Sequence, residues 1–284
     1  MNVLLLGGGG QLATDIERAW TAAGVDVVAV AHRDLDIADR AAVLARITGA
    51  RPDCVVNCAA MTNVPGCEEE PERAFAVNAI GASNAARAAT EAGARFVQIS
   101  TDYVFDGATG APYFEGAARR ALNAYGASKL AGEDLVRAAS PEALIVRVSG
   151  LFGLAGAAGK GGNFVETMLR LAREGRPMRV VADQITSPTN TADIAEALLP
   201  LVRDGMTGEL HLAASGGGCS WHEFAVAIFA RCRLTPDLTP VTAAEFGGPV
   251  ARPAHSVLAS RRGVALPHWH EGLARYLRAK DHIV

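Results

Sequence analysis

The chain has 284 residues, 50% hydrophobic and 20% charged, enough for one large domain plus a smaller one and too apolar for disorder driven by charge repulsion. Its formal net charge of −3 leaves no excess of Lys and Arg to neutralise phosphates, so nucleic-acid binding through a basic surface is not expected. No uncharged apolar run reaches the roughly 18 residues of a bilayer span, and the five cysteines are odd in number with no CxxC pair, which predicts a cytoplasmic chain with reduced thiols, no membrane contact and no structural zinc.

The first apolar run, residues 3–6, reads as a buried strand, and Gly7 to Gly10 follow it directly before a helical pattern over 11–23. A glycine turn between strand and helix is where bare backbone N–H groups and a positive helix end can hold a pyrophosphate. Two registers fit, Gly8-x-Gly10-x-x-Ala13 and Gly7-x-x-Gly10-x-x-Ala13, and both use Gly10 and Ala13. A second strand over 25–31 ends without the carboxylate that would select NAD by binding the adenosine ribose. Arg33 stands there instead, suited to a 2′-phosphate, and Asp36 a little further on could accept the adenine amino group. NADPH or NADH is therefore the expected cofactor, with NADPH preferred.

A helix over 40–48, a strand over 54–57, a long helix over 72–92 and a strand over 96–100 come next. That strand delivers Ser100, Thr101 and Asp102 to its C-terminal end, the edge where open parallel sheets bind ligands. The helix over 125–139 then opens with Tyr125 and Lys129, four apart and so on one face. A tyrosine with an ordinary pKa near ~10 is a poor proton-transfer group at neutral pH unless a cation favours its phenolate, and Lys129 is placed to be that cation. Thr101 would hydrogen-bond the carbonyl oxygen of a substrate.

After a strand over 143–148 comes a second glycine cluster, 150–162, which is not a simple linker because a helix over 163–174 and a strand over 178–181 follow. Helices over 221–231 and 273–279 complete the pattern. Strand and helix in alternation predict an α/β fold, a Rossmann-like doubly wound parallel sheet. Residues 1–160 read as the NAD(P)-binding domain, with its sheet completed by later segments, and 161–284 as a smaller, mainly substrate-binding region over the sheet's substrate edge. The histidines show no metal-ligand spacing, and no metal is expected.

Taken together, Gly7-Gly-Gly-Gly-Gln-Leu12, Leu35-Asp-Ile37, Arg51-Pro-Asp-Cys-Val-Val-Asn-Cys-Ala-Ala60, Ser100-Thr-Asp-Tyr-Val-Phe105, Tyr125-Gly-Ala-Ser-Lys129, Asn163-Phe164, Asp183-Gln-Ile-Thr-Ser-Pro-Thr189 and Arg252-Pro253 with Ser256 resemble the extended short-chain dehydrogenase/reductases. Within them the chain is similar, over nearly its whole length, to the dTDP-4-dehydrorhamnose reductase family. The resemblance implies that Gly7, Gly10, Gln11 and Leu12 touch the pyrophosphate, that Asp36 and Ile37 meet the adenine, and that Ala59, Ala60, Met61 and Thr62 line the middle of the cofactor. It places Thr101, Asp102, Asn163 and Arg252 at a nucleotide-sugar substrate. Tyr125 would give the proton, and Lys129 would also hold the nicotinamide ribose.

Departures bear on the substrate. Gly150 stands where the family often has an aromatic residue that reaches the sugar, and Pro65 and Gly66 replace a common Asp-Lys pair. Asp15 and Ala192 do not obviously preserve the acidic residues that bind magnesium at a dimer contact in some relatives; a homodimer is left open. The implied activity is reduction of the C4 ketone of a nucleotide-linked 6-deoxy-4-keto-hexose. Alternatives are a related reductase or epimerase acting on another sugar, and a non-catalytic cofactor-binding regulatory subunit of the kind one eukaryotic branch provides. A dehydratase would need Glu where Tyr103 stands.

Overall fold

The computed structural model describes residues 1–155 and 162–283; part of the second glycine cluster lies outside them. The first half of the chain gives β1 (Asn2–Leu6), α1 (Gln11–Ala22), β2 (Asp26–Val30), α2 (Arg40–Ala50), β3 (Cys54–Asn57), α3 (Val64–Glu69), α4 (Pro71–Phe75), α5 (Ala82–Glu91), β4 (Arg95–Thr101), α6 (Ala124–Ala139) and β5 (Leu144–Val148). Further on lie α7 (Phe164–Arg173), α8 (Thr191–Arg203), β6 (Gly208–His211), α9 (Trp221–Cys232), a short α10 (Ala243–Phe246) and α11 (Trp269–Ala279).

Strands β1 to β6 form one sheet in the order β2-β1-β3-β4-β5-β6, every pair parallel. The chain leaves β1 for β2 on one side and returns to β3 on the other, so the topological switch falls between β1 and β3. There the crevice opens at the carboxyl ends of the strands. Period-two alternation sorts β1 between two cores. Val3 and Leu5 pack with Ile16 and Trp20 of α1 and Ile194 and Leu198 of α8, while Leu4 and Leu6 pack with Val43 and Ile47 of α2, Ala85 and Ala89 of α5 and Val136 of α6. The α1 and α8 layer is pinned by the buried indole of Trp20, whose Nε1 donates to the Ala195 carbonyl at 2.8 Å.

The long helix read over 72–92 is present and continuous from Pro71 to Glu91, α4 passing through a π-helical turn, Ala76–Gly81, into α5. The π turn packs closely against α6, where a Cβ on Gly132 would stand 2.2 Å from the Asn78 carbonyl oxygen. The wider turn also frees Asn78 to reach across the molecule. Helix α3, hidden in sequence by Pro65 and Gly66, and α8, which carries Pro200 inside it, were not legible as helices. A separate cluster of Phe152, Val165, Leu169, Phe224, Ile228, Trp269 and Tyr276 joins α7, α9 and α11 beyond the sheet edge. No helix among the described residues is long and apolar enough to cross a membrane.

Candidate active site

A cleft of about 800 Å³ runs along the carboxyl edge of the sheet, and its wall includes Gly7, Gly10, Gln11, Leu12, Asp36, Ile37, Ala59, Ala60, Met61, Thr62, Thr101, Asp102, Tyr125, Lys129, Asn163 and Arg252. One end is built from the glycine turn. Gly7 adopts φ +84°, and a Cβ there would lie 2.6 Å from the Ala59 nitrogen, so turn and β3 loop touch backbone to backbone. Gly10 caps α1 without a side-chain hydrogen bond, and the first turn carries no acid. The leading N–H groups of α1 are left to an anion, and the positive helix end favours one. The buried Oε1 of Gln11 has no partner within the protein. These features fit a dinucleotide pyrophosphate.

The middle of the cleft is set by Asn78, which sequence reasoning missed. Its side chain brackets one residue, accepting from Met61 N at 2.8 Å and donating to Met61 O at 3.0 Å. The same Nδ2 lies 3.0 Å from Ser128 Oγ, which in turn donates to the Tyr125 carbonyl at 2.8 Å. The 59–62 loop is thereby tied to the helix that carries Tyr125 and Lys129. Asp36 spends one oxygen on Ala38 N at 2.9 Å. Arg33, expected at a 2′-phosphate, has a side chain 87% exposed and pairs with Asp34 at 3.5 Å. It is His32, not Arg33, that lines the cleft, because the turn after β2 carries the guanidinium outward.

At the reacting end, Asn123 caps α6 by accepting from Gly126 N at 2.8 Å, and Glu68 of α3 accepts from Ala124 N at 2.6 Å. Lys129 is buried, and its Nζ donates to the Ile99 carbonyl at 2.7 Å. Burial draws its ammonium down to about 8, against the pull of Glu133 and Cys58. Tyr125 sits beside Thr101, and burial raises its phenol above the usual value despite the Thr101 hydrogen bond. The Lys129 ammonium is held on the β4 backbone in this arrangement, and desolvation of the phenolate is the largest influence on Tyr125.

Beneath these groups lies a buried ion pair. Glu133 accepts from Arg147 through both oxygens at 2.8 Å and from Ser100 at 2.6 Å. Burial pushes the Glu133 carboxyl up, but Arg147 and Ser100 outweigh it and hold it below the usual range. His211 Nδ1 lies 3.0 Å from the Tyr113 carbonyl, and its Nε2 faces Arg147 Nη1 at 3.1 Å. The ring thus serves the fold, not a metal.

Two residues assigned to the sugar line the cleft while their polar atoms are engaged within the protein. Asn163 spends its amide as the cap of α7, accepting from Glu166 N at 3.0 Å and donating to Gly153 O and Tyr276 Oη, each at 3.0 Å. Asp102 is 3% exposed and accepts from Thr101, Ser149 and Ser256 at 3.0, 2.9 and 2.6 Å. Arg252 does face the cleft, donating to Tyr103 Oη at 3.0 Å. Trp221, at the start of α9 and packed on Phe164 with ring centroids 4.9 Å apart, closes the far wall. Gly150 has φ +55°, and a Cβ there would approach the Pro188 backbone at 3.0 Å, so backbone alone forms the cleft wall at this position. Asp15 accepts from Thr191 at 2.5 Å and pairs with Arg18 at 3.1 Å.

A parallel sheet of this order, with a glycine turn at its switch point and Thr101, Tyr125 and Lys129 gathered at its edge, defines a dinucleotide-dependent oxidoreductase of the short-chain dehydrogenase/reductase class. Residues 1–281 match the family described as the RmlD substrate binding domain, and the chain belongs to that family. It is 42% identical to the Spore coat polysaccharide biosynthesis protein SpsK of Bacillus subtilis, covering 98% of each chain. It is 39% identical to dTDP-4-dehydrorhamnose reductase of Mycobacterium tuberculosis, covering 98% of this chain and 92% of that one. Among solved structures, dTDP-4-dehydrorhamnose reductase of Bacillus anthracis in complex with NADP superposes with a TM-score of 0.93 at 37% identity, covering 98% of this chain and 99% of that one.

Proposed function

We propose that this chain is a cytosolic enzyme that reduces the C4 ketone of a nucleotide-linked 6-deoxy-4-keto-hexose, dTDP-4-dehydrorhamnose foremost, with NADPH or NADH. The observation that carries the reading is the meeting of Thr101, Tyr125 and Lys129 in the same cleft as the phosphate-binding turn; the names of the relatives supply the sugar. All five cysteines are free thiols, as suits a reducing compartment. When bound, NAD(P)H supplies the hydride for C4. Tyr125 gives its phenolic proton to the C4 oxygen as negative charge develops there, and Thr101 steadies that oxygen. Lys129 holds the ribose hydroxyls and offsets the phenolate left behind. Arg252 and Trp221 lie where the nucleotide part of the substrate would pass. The test is incubation with a panel of nucleotide-linked 4-keto-sugars, followed by the absorbance of reduced nicotinamide; no oxidation with any of them would sink the proposal.

Two expected results follow from the charges. Because Lys129 ionises near 8, NADPH affinity of the free enzyme should weaken as pH rises through about that value, and Lys129→Met should flatten the profile. The sign for folding is opposite: the folded pKa lies below the ordinary 10.5, so the unfolded chain binds more protons between the two values and Lys129's contribution to stability rises with pH across that window. Equilibrium titrations of cofactor binding and unfolding along one pH series check both signs.

The second concerns the adenosine end. With Arg33 directed to solvent, no fixed cation of β2 faces a 2′-phosphate, so kcat/KM for NADPH and NADH should lie within about tenfold. An exposed charge contributes at most about 1 kcal/mol, and Arg33→Ala should move the ratio by less than about fivefold. A collapse of NADPH use in that variant would show that the guanidinium does reach the cofactor.

A further inference from the structure

Asn163 stands in the wall of the cleft, and the direction of each bond around its amide is forced. Oδ1 must face Glu166 N, at 3.0 Å, because a backbone N–H only donates, and Nδ2 must face the Gly153 carbonyl, at 3.0 Å, because that oxygen only accepts. The remaining Nδ2 proton goes to Tyr276 Oη, again at 3.0 Å, so the phenol turns its own proton to Glu166 Oε1 at 2.6 Å. Glu166 receives a second donor from the C-terminal segment. Arg173 Nη2 lies 3.0 Å from His282 Nδ1 and can only donate, which leaves a ring proton on Nε2, 3.0 Å from Glu166 Oε1. Burial pushes the Glu166 carboxyl up, but the bonds from Tyr276 and His282 outweigh it and hold it below the usual range.

We infer that Tyr276, in α11, is a positioning residue for the far wall of the cleft and acts through Asn163. The ring is 1% exposed and packs edge-on to Phe152, centroids 5.4 Å apart, so its influence on a ligand must pass through a neighbour. Asn163 is that neighbour, and its amide ties three segments together: the Gly153 carbonyl, the first turn of α7 and the Tyr276 hydroxyl of α11. Phe164, next in the chain, lines the cleft together with Trp221, on whose ring it packs. It is also stacked on Phe224, centroids 5.7 Å apart, so a shift in the first turn of α7 would carry the aromatic wall with it. Both Asn163 amide protons are committed, and the residue could donate to a sugar only by leaving a buried acceptor unpaired. Contact on this wall therefore falls to the rings of Phe164 and Trp221, with Asn163 and Tyr276 holding them in place. The inference rests on the proposed substrate for its ligand, but not for its chain of bonds.

Tyr276→Phe keeps the ring and removes the joint. With NADP+ saturating, calorimetric titration with dTDP should show affinity lowered about tenfold in Tyr276→Phe, the size of one lost buried hydrogen bond, with NADP+ affinity within about twofold of the parent. Asn163→Ala should weaken dTDP at least as much. The double variant should match Asn163→Ala alone, because a residue that acts through another adds nothing once that other is gone. Additive losses would mean that Tyr276 acts separately, and tighter dTDP binding in Tyr276→Phe would mean that a freed Asn163 amide touches the ligand; either overturns the inference. A hydroxyl that only supports the fold would lower Tm and leave dTDP affinity intact, which overturns it as well. Hydrogen exchange supplies a readout without substrate: the Glu166 amide should exchange roughly tenfold faster in Tyr276→Phe, and parent-like protection there removes the coupling. A parent that binds NADP+ but no dTDP would count against the proposed substrate, and the exchange result would then decide this inference by itself.

Discussion

Tyr125→Phe should abolish reduction while leaving cofactor binding within a few-fold of the parent. Losing a proton donor typically costs 10² to 10⁴ in rate, and here the alkoxide forming at C4 would also lose a hydrogen-bond partner in a desolvated site, a second effect of roughly 10² to 10³. The two act on one oxygen, so they overlap instead of multiplying, and a drop of about 10⁴ is expected. The fold should tolerate the change. The ring keeps its edge-to-face contact with Tyr103, centroids 5.6 Å apart, and the Ser128 bond is to the Tyr125 carbonyl, which Phe retains. Stopped-flow single turnovers with excess enzyme check the rate, and fluorescence titration of the reduced cofactor checks the binding. Parent-like turnover would mean that Thr101 or water supplies the proton and that Tyr125 is a wall.

What the sequence disclosed about this site, and what it withheld, divides by distance along the chain. The glycine turn and the four-residue spacing of Tyr125 and Lys129 are local signals, because strand, turn and helix geometry place those atoms before any tertiary contact forms. The parallel sheet was legible for the same reason, through alternating runs of apolar residues. The direction of Asp102 was not: it is decided by Ser256, 154 positions away, and by Ser149, 47 away. Nor was the setting of Asn163, placed at the sugar by resemblance: its partner Tyr276 is 113 positions distant and takes one of its amide protons. Arg33 is a different case. A charged residue after a strand is read as facing the ligand, whereas here the turn gives it water and a neighbouring Asp. The π turn at Ala76–Gly81 left no mark on the helical spacing of apolar residues, and the glycine that lets α6 approach it, Gly132, lies on a different helix. Asn78 could have been suspected only from an amide sitting inside an otherwise apolar helical face.

The glycine turn gives the second large effect, and the structure separates two glycines that the sequence treats alike. Gly10 has an ordinary φ of −74°, and a Cβ there would meet only the Gly7 carbonyl, at 3.0 Å. Gly10→Val should therefore fold, with a side chain standing where the pyrophosphate must approach the start of α1. Charge-assisted hydrogen bonds contribute about 1.5 to 3 kcal/mol each, so losing two of them weakens NADPH binding by roughly 10² to 10⁴. Gly7 is different. Its φ of +84° disfavours any side chain, and the added Cβ would strike the Ala59 nitrogen at 2.6 Å and the Cys58 carbonyl carbon at 2.8 Å, backbone atoms that cannot step aside without moving β3. Left-handed strain of about 1 to 2 kcal/mol and overpacking of about 1 to 3 kcal/mol add to a Tm lowered by roughly 5 to 15 °C in a chain of this length. Calorimetric melting and cofactor titration of both variants decide the matter. Gly10→Val should lose affinity with little change in Tm, Gly7→Val should lose Tm first, and parent-like cofactor affinity in Gly10→Val would remove the turn from the binding site.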